Sequence, residues 1–260
     1  MNIIVCIKQV PDTTNVKIDP KTNTLIREGV KSIVNPFDEN AIEEALRLRD
    51  IHGGKVTVIT MGPPQATEAL KSAIGMGADS AILVSDRAFA GADTWATSYT
   101  LSRAIKKIGE YDLILFGKQA IDGDTAQVGP GVAQFLDIPQ MTFAIKVEVE
   151  GKKLTVRRHL EDSAEILETG LPAAVTVLKQ MNEPRMPSLK GQMRAKKAEI
   201  IIWTAADINA DPENIGLNGS PTQVVKIFTP PPRGKSEMLE GEHEEVSEKL
   251  YKKLKEHKII

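Results

Sequence analysis

The feature that most constrains this chain is an alternation, kept up through its first half, between short β-branched runs and amphipathic stretches. Residues 3–7 are Ile-Ile-Val-Cys-Ile, suited to a strand covered on both faces. Residues 38–51 follow with Ala41, Ala45 and Leu46 at helical spacing against a charged opposite face. Asn35, Pro36 and Asp38 supply turn and cap chemistry just ahead of them. The pattern then repeats. A strand over 55–60 ends at Gly62-Pro63-Pro64, and a helix over 65–76 stops at Gly77. A strand over 81–84 precedes a helix over 93–108 with Asp93 or Thr94 as cap. A strand over 112–116 closes at Gly117, and a helix over 125–136 completes the series. Strand–helix repeats at such short intervals predict a parallel sheet with helices on both faces. Right-handed crossovers then line up the loops after the strands, 6–10, 61–64, 85–94 and 117–129, along one edge of the sheet, where a ligand site is expected.

From about residue 143 the pattern changes. Residues 146–149 and 154–158 flank Gly151-Lys152-Lys153, which predicts a hairpin, and 173–178 form another buried strand. Residues 182–189 are a loop broken by Pro184 and Pro187. Pro230-Pro231-Pro232-Arg233-Gly234 is an extended linker, because each proline fixes φ and removes a donor. It leads to a charged helix over 242–255 whose Val246, Leu250 and Leu254 form a narrow stripe needing a surface to cover it. The fold class expected is therefore α/β, a parallel-sheet nucleotide-binding domain with a β-rich second part and an extended C-terminal arm. The division falls between 1–228 and 229–260.

Composition removes several function classes. Lys plus Arg total 33 against 35 Asp plus Glu, a balance that argues against a chain built to hold a polyanion. The aromatic residues do not interleave with the basic run Arg194, Lys196 and Lys197, which is expected to be a solvated face, so no nucleic-acid partner is expected. A single cysteine, Cys6, excludes an intrachain disulfide and a multi-cysteine metal cage; at the end of an apolar strand it is expected to be inert packing. His52, His159, His243 and His257 do not pair at i+3 or i+4 with another histidine or cysteine, so no metal is expected. No apolar run reaches the roughly 18 residues of a membrane span, and the opening residues predict a strand rather than a leader. A cytoplasmic location is the expectation.

The most unusual segment runs from Gly117 to Pro130: Gly-Lys-Gln-Ala-Ile-Asp-Gly-Asp-Thr-Ala-Gln-Val-Gly-Pro. Small residues let backbone approach a ligand, and the N–H groups of a helix start attract anions. Thr125 and Gln127 add neutral donors. Asp122 and Asp124 repel a bare phosphate and suit helix capping or a ribose hydroxyl. A merely capped helix start after a long loop explains the segment equally well. Neither a P-loop nor a Gly-x-Gly-x-x-Gly turn is present. No Gly-x-Ser-x-Gly elbow points to a hydrolase.

Several segments together resemble the β subunit of electron transfer flavoprotein. They are Val5-Cys6-Ile7-Lys8-Gln9-Val10-Pro11, Asn35-Pro36-Phe37, Gly117-Lys118-Gln119-Ala120-Ile121-Asp122, Asn182-Glu183-Pro184-Arg185 and Met193-Arg194-Ala195-Lys196-Lys197. The stretch from Arg158 to Leu167 followed by Pro172 is similar to the family's signature region, with Ser163 where a glycine or acid is usual. The resemblance implies a heterodimer with an α subunit that carries one FAD, and a C-terminal arm that wraps onto that partner. It also implies that this subunit binds either structural AMP or a second FAD. The AMP-binding branch has a third acid and then Thr-Gly-Gln in the loop after the fourth strand. This chain has Gly123-Asp124-Thr125-Ala126-Gln127-Val128-Gly129-Pro130, which is similar to the FAD-binding, electron-bifurcating branch. Residues 8–13 and 85–94 resemble that branch as well. Replacing a carboxylate by Gly123 eases the approach of a pyrophosphate.

By that resemblance, NADH is the electron donor, and the electrons go to ferredoxin or flavodoxin and to an acyl-CoA or related flavin dehydrogenase. NADH oxidation is then expected only in the heterodimer with its redox partners. Cys6, Asn35 and Met61 line the nucleotide pocket with Asp93, Thr94 and Thr97. Asp122, Gly123, Asp124, Thr125, Gln127, Val128, Gly129 and Pro130 hold the ribose and pyrophosphate. Residues 182–197 contain the partner-recognition loop, with Leu189 as docking residue, the alternative being a leucine tucked into the core. Two other readings remain open: a conventional single-FAD carrier with AMP in this subunit, and a non-redox nucleotide-binding module.

Overall fold

The computed structural model describes residues 1–12, 17–18, 25–26, 32–225 and 237–260. In chain order the elements are β1 (Asn2–Cys6), β2 (Gln9–Pro11), β3 (Lys17–Ile18), β4 (Leu25–Ile26), β5 (Ser32–Val34), α1 (Pro36–His52), β6 (Lys55–Met61), α2 (Thr67–Met76), β7 (Ser80–Val84), α3 (Thr94–Ile108) and β8 (Leu113–Gly117). They continue with α4 (Val128–Leu136), β9 (Gln140–Glu150), β10 (Lys153–His159), β11 (Ala164–Gly170), β12 (Ala173–Val177), α5 (Leu189–Lys197), β13 (Ile201–Trp203) and α6 (His243–Glu256).

Nine strands form one sheet in the order β11-β10-β9-β12-β8-β1-β6-β7-β13. From β9 to β13 every neighbouring pair is parallel; β10 and β11 continue from β9 as an antiparallel meander. The side-chain period of two decides how the sheet is covered. Ile3 and Val5 of β1 enter one core with Ala41, Ile42, Ala45 and Leu46 of α1 and Leu70 and Ala73 of α2. Ile4 and Cys6 enter the other with Leu101, Ala104 and Ile105 of α3 and Val132 and Ala133 of α4. Central strands are thus apolar on both sides, as a sheet between helix layers requires. The α/β class with helices on both faces is the one the alternation predicts.

Several boundaries differ from those predicted. The hairpin about Gly151 is longer and gains a third strand, β11. Through β9 pairing with β12 this β-rich second part extends the main sheet. Residues 189–197, where the sequence predicts the end of a loop and a solvated basic run, form α5. The side chain of Arg194 in α5 is committed, with Nη2 donating to the carbonyls of Ile74 at 2.7 Å and Ala78 at 2.9 Å, where it caps α2. Helix α1 begins at Pro36 and α4 at Val128, two residues before and three after their expected starts.

The chain divides into two units, Met1–Val225 and Lys226–Ile260. In the second, α6 has no buried residue, and Lys253 pairs with Glu237 at 2.6 Å. The proline-rich linker at 230–234 lies outside the described residues, as does Thr13. Among the described residues, no helix is long and apolar enough to cross a membrane.

Candidate functional site

From β1 the chain moves outward to β6 and β7, then returns to the other side of β1 as β8. Such a reversal opens a crevice at the carboxyl ends of the two strands flanking it, here β1 and β8. The segments leaving those strands are tied together across it. Lys8 Nζ donates to Asp122 Oδ1 at 2.7 Å. Asn35 is buried, its Nδ2 donating to the Gln119 carbonyl at 2.9 Å and its Oδ1 accepting from Ile121 N at 3.1 Å. Asn35 therefore leaves its own helix uncapped and fastens the other loop instead.

Beneath them lies Asp38, a residue that sequence reasoning assigned only to turn and cap chemistry. Its Oδ2 accepts from Lys8 N at 2.7 Å and its Oδ1 from Gly117 N at 3.1 Å, so one carboxyl joins the ends of β1 and β8. Burial pushes its pKa up to about 7, against hydrogen bonds from Asn35, Lys8 and Gly117 that pull it down. Any side chain at Gly117 would collide with this carboxyl and with the backbone of Phe37. Cys6, buried beside it, has its thiol pKa pushed up by desolvation and then by the nearby Asp38.

The loop from Gly117 to Gln127 is shaped by two non-glycine residues in the left-handed region, Asp124 at φ +53° and Ala126 at φ +54°. Asp122, Gly123, Asp124, Thr125 and Gln127 are exposed along it. Neither aspartate caps α4: Asp122 pairs with Lys8, and Asp124 accepts from Gln119 Nε2. Gln127 stands at the N-cap position without a side-chain cap bond. The capped-start alternative therefore fails, and the first amides of α4 have no such partner. Pro130 in the first turn gives up an N–H that would have no helical partner. Gly129 is buried, and a Cβ there would stand 2.7 Å from Thr176 Cγ2.

The start of α3 lies alongside. Thr94 Oγ1 donates to Gln127 Oε1 at 2.7 Å, and Ser98 Oγ reaches the Val128 carbonyl at 3.3 Å. Asp93 is the cap, accepting from Trp95 N at 2.9 Å and Ala96 N at 3.1 Å. Thr97 is half-buried in the first turn, and Met61 is half-buried at the end of β6, packed on the second core.

A second surface follows β12. Arg185 grips Glu43 with two nitrogens, at 2.8 and 3.1 Å, and reaches Asp50 at 3.2 Å. Asn182 exchanges hydrogen bonds with Asn40 and donates to Glu44 at 3.0 Å. Held in this way on α1, the loop presents Met186, 88% exposed, and Leu189, 77% exposed, so Leu189 is not a core residue. Sequence reasoning missed α5 itself; the signal available was Ser188, whose Oγ accepts from Gly191 N as the helix cap.

Residues 22–208 match the model of the electron transfer flavoprotein domain. The chain is 55% identical to the electron transfer flavoprotein subunit beta of Thermoanaerobacterium thermosaccharolyticum, over 100% of both chains. The chain belongs to the electron transfer flavoprotein family, as a β subunit. It is also 54% identical, over 100% of both chains, to the caffeyl-CoA reductase-Etf complex subunit CarD of Acetobacterium woodii. Against the protein FixA of Azotobacter vinelandii the identity is 50%, over 93% of this chain and 89% of that one. Family membership makes electron transfer the role of this subunit.

Proposed function

We propose that this chain pairs with an α subunit and binds FAD at the crevice between β1 and β8. In this reading it takes electrons from NADH for bifurcation to ferredoxin or flavodoxin and to an acyl-CoA or related flavin dehydrogenase. The carrying observation is the start of α4, which has no side-chain cap, at the end of a loop whose Asp122 holds the Lys8 ammonium. Unpaired amides at a helix start, with a cation nearby, suit a pyrophosphate. The residues fit the group: Gly123 faces open space, its nearest neighbour to an added Cβ being Lys8 Nζ at 3.9 Å, so the backbone can approach a ligand there. Thr125 and Gln127 supply neutral donors, the Thr94 hydroxyl is left to accept because its proton goes to Gln127 Oε1, and Asp122 and Asp124 suit ribose hydroxyls.

FAD, when bound, supplies the acceptance of a hydride and the passing on of electrons one at a time. The chain's residues bind and orient it. Lys8 and the amides of α4 balance phosphate charge, while the Asp38 and Asn35 bonds keep the two loops at fixed separation. Leu189 and its neighbours on α5 offer the apolar surface for the dehydrogenase. The Acetobacterium relative is a subunit of a caffeyl-CoA reductase-Etf complex, which favours a partner of that class.

The test is the nucleotide content of the purified heterodimer after acid release and chromatography. Two FAD and no AMP per heterodimer are expected, followed by reduction on titration with NADH. One FAD and one AMP would overturn the assignment and make this an ordinary single-flavin carrier.

A further inference from the structure

Asp93 was expected among the residues touching the nucleotide, yet its carboxylate is already fully engaged. Oδ1 accepts from Trp95 N and Ala96 N, and Oδ2 accepts from Thr222 N at 2.9 Å and Thr222 Oγ1 at 2.7 Å. An ionised carboxylate has about four acceptor positions, so a ribose hydroxyl could be received only by releasing one of these partners. The amide of Asp93 is taken as well, donating to Ser220 Oγ at 2.8 Å, and Ser220 Oγ donates in turn to the Gly216 carbonyl at 2.7 Å. The same segment lies along the loop before Asp93: Leu217 N donates to the Ala90 carbonyl at 3.1 Å, and Gly216, at φ +56°, leaves no room for a side chain against the Ala88 carbonyl.

We propose that Asp93, Thr222 and Ser220 are positioning residues, which fix the start of α3 and the 88–93 loop so that Thr94 and Thr97, not Asp93, meet the nucleotide. This rests on the reading of the crevice as the FAD site and adds to it a segment far along the chain. Residues 216–222 become the outer support of that site. Hydrogen bonds to a charged group are worth more than neutral ones, so losing the Thr222 hydroxyl alone should matter.

The experiment uses the intact heterodimer and measures FAD occupancy of this subunit by equilibrium dialysis, with the visible circular dichroism of the bound flavin as a second readout. Thr222→Val keeps the side-chain shape and removes the hydroxyl; it should weaken FAD binding about tenfold and alter the dichroism. Thr222→Ser should restore both, which a general loss of packing would not allow. If Thr222→Val does not fold, Ser220→Ala serves instead, with about threefold weakening expected. Unchanged or tighter binding in the variants, with FAD present in the wild type, overturns this inference alone, because Asp93 would then have been competing for the ligand or idle. A wild-type heterodimer with no nucleotide in this subunit overturns the FAD reading and this inference together.

Discussion

The segments at 118–127 and 182–188 both lean on α1, one at its first turn and the other along its middle, yet they offer different surfaces. At the first turn, Asn35 and Asp38 hold backbone of the first loop and its strand, leaving hydroxyls, amides and carboxylates facing outward. Farther along, Asn40, Glu43 and Glu44 hold Asn182 and Arg185, and what faces outward is Met186, Leu189 and Met193. The anchoring is polar and buried in both cases. The outward set separates a loop suited to a small charged ligand from one suited to a protein. A preformed apolar anchor also loses less entropy on docking.

The comparison is broken most strongly at Asp38. Its pKa, raised from an ordinary value near 4 to about 7, means that the fold favours the neutral acid. The stability it contributes is full below about pH 4 and is lost as pH rises through 7, by roughly 4 kcal/mol at most. In urea unfolding between pH 4.5 and 7.5, Asp38→Asn should therefore show a flatter profile than the wild type. It should also lose nucleotide while the 182–188 loop keeps its place. Equal slopes in the two proteins would remove the argument.

Arg185→Ala strikes only the second loop. It leaves Glu43, whose side chain is 7% exposed, without its cation, for a loss of about 2–3 kcal/mol; the 36% exposure of Arg185 keeps this below a fully buried pair. Nucleotide content should not change, and a drop in it would show that the two loops are not independent. Leu189→Ala is the smallest change in stability, within about 0.5 kcal/mol for an exposed site. It should slow electron transfer to the dehydrogenase with flavin content unchanged. Transfer at the wild-type rate would leave α5 without its docking role.

The parallel core was legible because its strands are short runs rich in apolar and β-branched residues ended by Gly62, Gly117 and their neighbours, a signal that needs no tertiary information. The loop from Gly117 to Pro130 was legible for the same reason, as small residues between a strand and a helix. Asp38 was not, because an acid in the first turn of a helix ordinarily faces solvent and complements the dipole. Only the arrival of β8 beside β1 turns it inward. Helix α5 was hidden by its own composition: it buries no residue, carries Gly191 in its first turn and follows Pro187, so no apolar stripe marks it. Thr222 stands 129 positions from Asp93, and nothing local announces such a pairing.

Cys6 carries the chain's one sulfur nucleophile, at the floor of the proposed flavin site. Oxidation by peroxide, disulfide exchange and alkylation all begin from the thiolate. Desolvation and the neighbouring Asp38 hold that form back, so the sulfur stays a protonated spectator at neutral pH. Were a flavin to bind there as proposed, this would close off one side outlet through which reducing equivalents could drain into the protein itself.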